Sequence, residues 1–297
     1  MADDCDSEIY IEQVDRMVTG EPSIKDFDEA ILFLNFALKK NSSVKASGFA
    51  LKTIEFLEKH KKYKEKNYRF MPSSISGKII NKKDSDIEYN ESYVYSVATH
   101  GLGTRHEENK IFGMKPLRYL SLLAGTIYSD KWAAGYTEKR AVNEGEVTVS
   151  VEDGGTVAVK AGTFENCIKV TLDLEIADKA GRDYYFENFM YTHCGKKIYW
   201  FAPNVGIVKH DCIWGGTLSS VCELSEFRSA ATDGEYMPVY IGNRWVYDEM
   251  TIEKEYTARC ICDVLSGIEN EFFITCEQEF LFSGTEKEYT EFKNNLK

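Results

Sequence analysis

Eight cysteines and five histidines are the side chains of this 297-residue chain best suited to grip a metal or attack a substrate. His193, Cys194, His210, Cys212 and Cys222 fall within thirty residues, and Cys260 and Cys262 form a second pair. On a strand, side chains alternate, so His210 and Cys212 point to one side, as do Cys260 and Cys262. A structural zinc site usually shows paired ligands across a tight turn, as in Cys-x-x-Cys, and neither cluster has that spacing. The expectation is therefore neutral, buried thiols acting as small apolar side chains, with no metal ligand and no cofactor. Covalent cysteine catalysis fits no better, because a histidine next in sequence to a cysteine points to the opposite face of a strand.

Other chemistry is weaker still. Gly101-Leu102-Gly103-Thr104 starts like a phosphate loop, but no third glycine and no Gly-Lys-Ser/Thr follows. His106-Glu107-Glu108-Asn109-Lys110 places Lys110 where a zinc protease needs its second histidine. No Gly-x-Ser-x-Gly elbow is present. Glu187, Asp173 and Glu223 are acid and base candidates on a sheet face, but their spacing brings no two of them together. Glu58 to Arg69 carries six basic and two acidic residues, a basic helix end in a chain whose net charge is -12. That charge repels phosphate, so nucleic acid is not an expected partner.

These residues ride on two kinds of element. From 8 to about 66 the apolar period is helical. Ser23 caps a helix in which Ile24, Phe27, Ile31, Leu34 and Leu38 line one face. Asn41-Ser42-Ser43 breaks it, and a second helix follows with Phe49, Ala50, Thr53, Ile54 and Leu57 inward. Ile9 to Val18 offers a third, shorter helix. Leu32, Phe33 and Phe36 fall outside the main stripe, so the helices are expected to pack against something beyond themselves.

From about residue 79 the period changes to two. The clearest strand alternates Ile168, Val170, Leu172, Leu174 and Ile176 with charged and polar residues, as a half-wet antiparallel strand does. Asp153-Gly154-Gly155 reads as a turn before it. Further strands are predicted over Tyr184–Thr192, Lys197–Ala202, Gly206–Ile213, Thr217–Phe227, Trp245–Ile252, Tyr256–Val264 and Glu271–Phe282, with a short helix over 285–292. The short connections favour hairpins over crossovers. Residues 98–145 are the least legible, with Leu117, Leu120 and Leu123 suggesting a helical turn or two.

Aromatic residues crowd the adjacent strands over 184–202. Tyr185, Phe189, Tyr191, Tyr199 and Phe201 are the candidate ligand-binding residues there. Helices laid over this doubly aromatic hairpin would account for their own broad apolar faces.

Three segments carry a family resemblance. Val157 to Val170, with its Val-x-Ala-Gly-Thr-Phe-x-x-Cys core, and Tyr199-Trp200-Phe201-Ala202-Pro203-Asn204-Val205-Gly206-Ile207-Val208-Lys209 resemble, in that order, two blocks of poorly characterised bacterial β-rich proteins. Gly242-Asn243-Arg244-Trp245-Val246-Tyr247 resembles the segment that often opens such domains. It also echoes the stretch after Leu123, which leaves 239–297 open as a truncated second repeat. The resemblance implies a curved half-barrel like that of lipoprotein carriers, no established activity and a place in the cell envelope. The residues themselves read as bends and turns that hold a fold.

Met1-Ala-Asp-Asp-Cys-Asp shows no basic or apolar leader, and no apolar run nears the ~20 residues of a spanning helix, so a cytoplasmic chain with no membrane span is expected. The expectation as a whole is an α+β protein: a helical hairpin or small bundle over 8–66, then a curved antiparallel meander over 79–297. Its expected function is a non-catalytic module whose curved sheet binds an apolar small molecule, or whose helical segment binds a protein partner. An enzyme with an acid/base site on the sheet face and a structural scaffold are the alternatives.

Overall fold

The computed structural model describes residues 23–40, 44–66, 70–83, 88–98, 126–142, 145–176, 195–214, 217–251, 256–268 and 270–281, with Val14 and Met17. The helix over 9–18 (Val14 and Met17 apart), the leucines of 117–123, the strand over 184–192 and the helix over 285–292 lie outside these residues.

Two helices come first: α1, Ile24–Lys40, and α2, Val44–Lys66. Ser23 caps α1 reciprocally with Asp26. Its backbone N–H and hydroxyl both donate to the Asp26 carboxylate, at 2.5 and 2.8 Å, and the Asp26 N–H reaches back to the Ser23 hydroxyl. The buried stripe of α1 is Phe27, Ala30, Leu34 and Ala37; Phe27 and Leu34 lie on the expected line, Ile31 packs partly buried beside them, and Ile24 is exposed. On α2 the core-facing residues include Thr53 and Leu57, as expected, and also Phe56. Val14, Phe27, Ala30, Leu34, Phe56 and Leu57 close into one cluster with Phe273 from the sheet.

The described strands form one antiparallel sheet. Its strands are β1 (Phe70–Lys83), β2 (Glu88–Ala98), β3 (Thr126–Ser129), β4 (Thr137–Val142), β5 (Gly145–Val159) and β6 (Gly162–Ile176). They continue with β7 (Gly195–Ala202), β8 (Gly206–Trp214), β9 (Thr217–Arg228), β10 (Arg244–Thr251), β11 (Tyr256–Ile268) and β12 (Glu271–Leu281). From β4 to β12 nine strands follow one another as a meander, and β1, β2 and β3 extend the sheet beyond β12. Alternation gives the sheet two faces. The inner one gathers Val149, Val170, Phe201, Val208, Leu224 and Ile274, from strands spread across its width, into a single core. The sheet therefore curls around its own side chains, yet it is not closed: β3 and β4 remain its edges.

Three local expectations are revised. Asp153-Gly154-Gly155 is a bulge inside β5, not a turn, and the chain reverses at Lys160-Ala161. Gly154 passes so close to β6 that an added Cβ would stand 2.9 Å from the Cys167 carbonyl oxygen, and Gly155 takes a left-handed φ of 60°. Composition alone cannot tell such a bulge from a hairpin. The sheet also begins earlier than residue 79, because the Ser- and Gly-rich stretch from Phe70 pairs with β12. Finally, α2 packs on β11, β12 and β1, not on the aromatic strand β7. Trp200 on β7 is instead capped by the Lys209 ammonium, 4.9 Å from the ring centroid. Among the described residues, no helix is long and apolar enough to cross a membrane.

Candidate functional site

The three resembling segments meet at one end of the sheet. Asn204, at φ 64°, and Gly206, at φ 96°, turn β7 into β8, where left-handed backbone suits these two residue types. The Trp245 indole N–H donates to the Val205 carbonyl at 2.6 Å, and the Asn204 side chain accepts from the Gly234 N–H. The β5–β6 tip docks on β9, where the Ala161 N–H donates to the Leu224 carbonyl and Phe164 meets Phe227 edge-on. Tyr236 ties in Asn166 through its carbonyl. These contacts tie strands and turns to one another, which is architecture.

Chemically dense residues lie elsewhere, on the inner face from β7 to β12. Alternation along β7 turns Lys197, Tyr199 and Phe201 inward. Phe201 is 1% exposed and packs against Tyr128 and Trp132, so it belongs to the filled core. Tyr199 lies flat on His210, with ring centroids 4.4 Å apart and planes 3° from parallel. Tyr185, Phe189 and Tyr191 lie outside the described residues. Burial, with the Lys197 ammonium second, pushes the His210 imidazole down to about 3, so it is neutral at ordinary pH. Lys197 is itself buried. Register sets Cys222 beside His210 on the next strand, and Tyr247 beside Cys260 two strands further on. The Tyr247 hydroxyl donates to the Ile207 carbonyl at 3.0 Å. Burial, and then the thiols of Cys262, Cys222, Cys260 and Cys276 around it, hold that phenol well above its ordinary range.

On the β11–β12 hairpin, Cys262 and Cys276 are direct cross-strand partners with sulfurs 2.9 Å apart, and the Cys260 sulfur is 3.8 Å from that of Cys262. All three sulfurs lie within 4.8 Å of one another. The sequence displays Cys260-x-Cys262 openly. The third thiol was legible only through hairpin register, because the turn at Asn270 reflects position 262 onto 276.

The remaining candidates disperse. His193, Cys194 and Glu187 lie outside the described residues, as does the Cys212 side chain. Asp173 forms an ion pair with Lys196 at 2.9 Å on the outer face. Glu223, on β9, is three strands away, at least about 14 Å at the usual strand spacing. Two lysines of the basic end of α2 engage carboxylates. Lys59 reaches Glu277 at 3.1 Å and also pairs with Glu279, while Lys61 holds Asp28 at 2.6 Å.

No protein-family model, no curated protein and no solved structure matches this chain.

Proposed function

We propose that the chain is a non-catalytic binding module whose binding element is the inner face of the curved sheet between β7 and β12. One observation carries this reading: a buried lysine, a neutral histidine, a half-buried tyrosine and four thiols line a face that a plain scaffold would fill with hydrocarbon. A plain core is built mostly from hydrocarbon side chains, whereas this face gathers titratable ones. Perturbed groups of this kind gather where something is bound. Tyr199 supplies aromatic surface beside them, which suits the half-barrel carriers that the sequence motifs resemble. Catalysis is the weaker reading, since Asp173 and Glu223 lie too far apart to share a substrate as acid and base.

Native mass spectrometry of protein purified gently from its host tests the proposal. Mass beyond that of the chain, lost on denaturation, is the expected result. A bare monomer or a bare oligomer counts against it.

A second reading, that the helices take a protein partner, draws on α1. Leu32 and Phe36, one turn apart, are 71% and 53% exposed. Replacing both with lysine should leave the thermal midpoint nearly unchanged and abolish any association with another protein. An association that survives the change removes that reading.

A further inference from the structure

We infer that Cys260, Cys262 and Cys276 form a binding site for a thiophilic d10 cation, Zn(II) or Cu(I), on the inner face of the β11–β12 hairpin. This names a ligand class for one end of the face proposed above as a binding surface, and it rests on that reading.

The geometry comes from the hairpin itself. Cys260 and Cys262 project from one face of β11, two residues apart, and register places Cys276 opposite Cys262 on β12. Their sulfurs form a triangle no wider than 4.8 Å. A Zn–S bond of about 2.3 Å in a tetrahedral set spaces sulfurs about 3.8 Å apart. The Cys260–Cys262 separation is already 3.8 Å. The 2.9 Å between Cys262 and Cys276 opens to that value by a rotation about a single χ1.

The donor set selects the ion. Ca(II) and Mg(II) need oxygen, and the hairpin's carboxylates, Asp263, Glu277 and Glu279, face the opposite way, toward Lys52 and Lys59 of α2. Three sulfurs with apolar neighbours such as Val264 and Ile274 suit a soft cation. Each thiol would give up its proton on binding, so affinity should rise with pH.

The competing arrangement is a cross-strand disulfide between Cys262 and Cys276. Both are free thiols in this structure.

The full chain, reduced and stripped of metal with a chelator, should be titrated with Cd(II) and followed by thiolate-to-metal charge-transfer absorption. Zn(II) and Cu(I) are then each tested against a chromophoric chelator, which shows which of the two is held. One Cd(II) per chain is expected, with a raised thermal midpoint. Bound Cd(II) should also protect Cys260, Cys262 and Cys276 from alkylation, mapped by peptide mass. Cys262→Ala and Cys276→Ala should weaken binding by roughly a hundredfold or more, whereas Cys167→Ala, which removes a buried thiol on β6, should bind like the parent. Should the alanine variants not fold, Cys262→Ser and the alkylation map give the same reading.

Three results would overturn the inference: no Cd(II) taken up by folded, reduced protein; full uptake by the Cys262→Ala/Cys276→Ala double variant; or a Cys262–Cys276 disulfide in protein alkylated inside its host. An organic ligand in the native spectrum together with no Cd(II) uptake would remove the metal site and leave the binding module standing.

Discussion

The imidazole of His210, stacked on Tyr199, stays neutral because burial and the nearby Lys197 ammonium oppose its charge. Its folded value of about 3 lies below the ordinary 6.5, so between those two values the unfolded chain binds a proton that the folded chain refuses. Stability is therefore fully present above pH 6.5 and drains as the pH falls, by up to about 1.4 kcal/mol per pH unit. His210→Gln should flatten that part of the profile. Urea midpoints of the parent and the variant, taken at about pH 7 and pH 5, will show whether the two slopes differ. Gly154 offers a purely steric test. Gly154→Ala would drive its Cβ against the Cys167 carbonyl on the neighbouring strand, and a loss of about 1–3 kcal/mol should appear in the same urea assay. Destabilisation below a few tenths of a kcal/mol would mean that the bulge relaxes freely.

Helix and sheet are joined by charge as much as by hydrocarbon. Phe273 plugs into the helical cluster, while Lys59 lies over Glu277 and Glu279, which are 3% and 1% exposed. Lys52 similarly meets Asp263, and Arg244 approaches the same carboxylate from β10 through both oxygens, at 3.1 and 3.2 Å. Removing one partner from such a group strands a buried charge. Lys59→Met should cost about 3–5 kcal/mol, measured by chemical denaturation, and Glu279→Gln in the same chain should restore part of the loss. This interface also marks the limit of what the sequence discloses. Helix spacing and strand alternation are printed in the residue order, so both helices and six strands from Gly195 onward were legible to within a few residues. Where α2 would dock was not, because Lys59 belongs to a basic run of the kind that ordinarily solvates a helix end. Only the odd positions of β12, carrying Thr275, Glu277 and Glu279 beside Phe273, hint that this outer face is covered. The thiol triangle was half legible for the same reason: spacing within a strand is visible, while pairing between strands depends on register.

At the scale of the molecule, β12 is the seam. It stands between β11 and β1, so the strands after residue 239 are inserted between the first three strands and the remainder of the sheet. A chain ending at residue 238 should therefore lose the sheet's continuity and the seat of α2, not merely a dispensable repeat. For the full chain, tryptophan fluorescence and far-ultraviolet circular dichroism should follow one coincident transition in urea. Two separated transitions would show that the helical segment and the sheet are independent units.

That seam also governs when the fold can exist at all. Phe70 pairs with Leu281, so the strand made first in the sheet waits for the strand made last, roughly two hundred residues later on the chain. A pairing so distant in sequence raises the contact order of the sheet above that of its local hairpins, which places spontaneous refolding toward the slow end of the range. During synthesis β1 would leave the ribosome with one edge unsatisfied and keep it so until β12 had followed. An open strand edge of this kind is a template for pairing with other chains in the meantime.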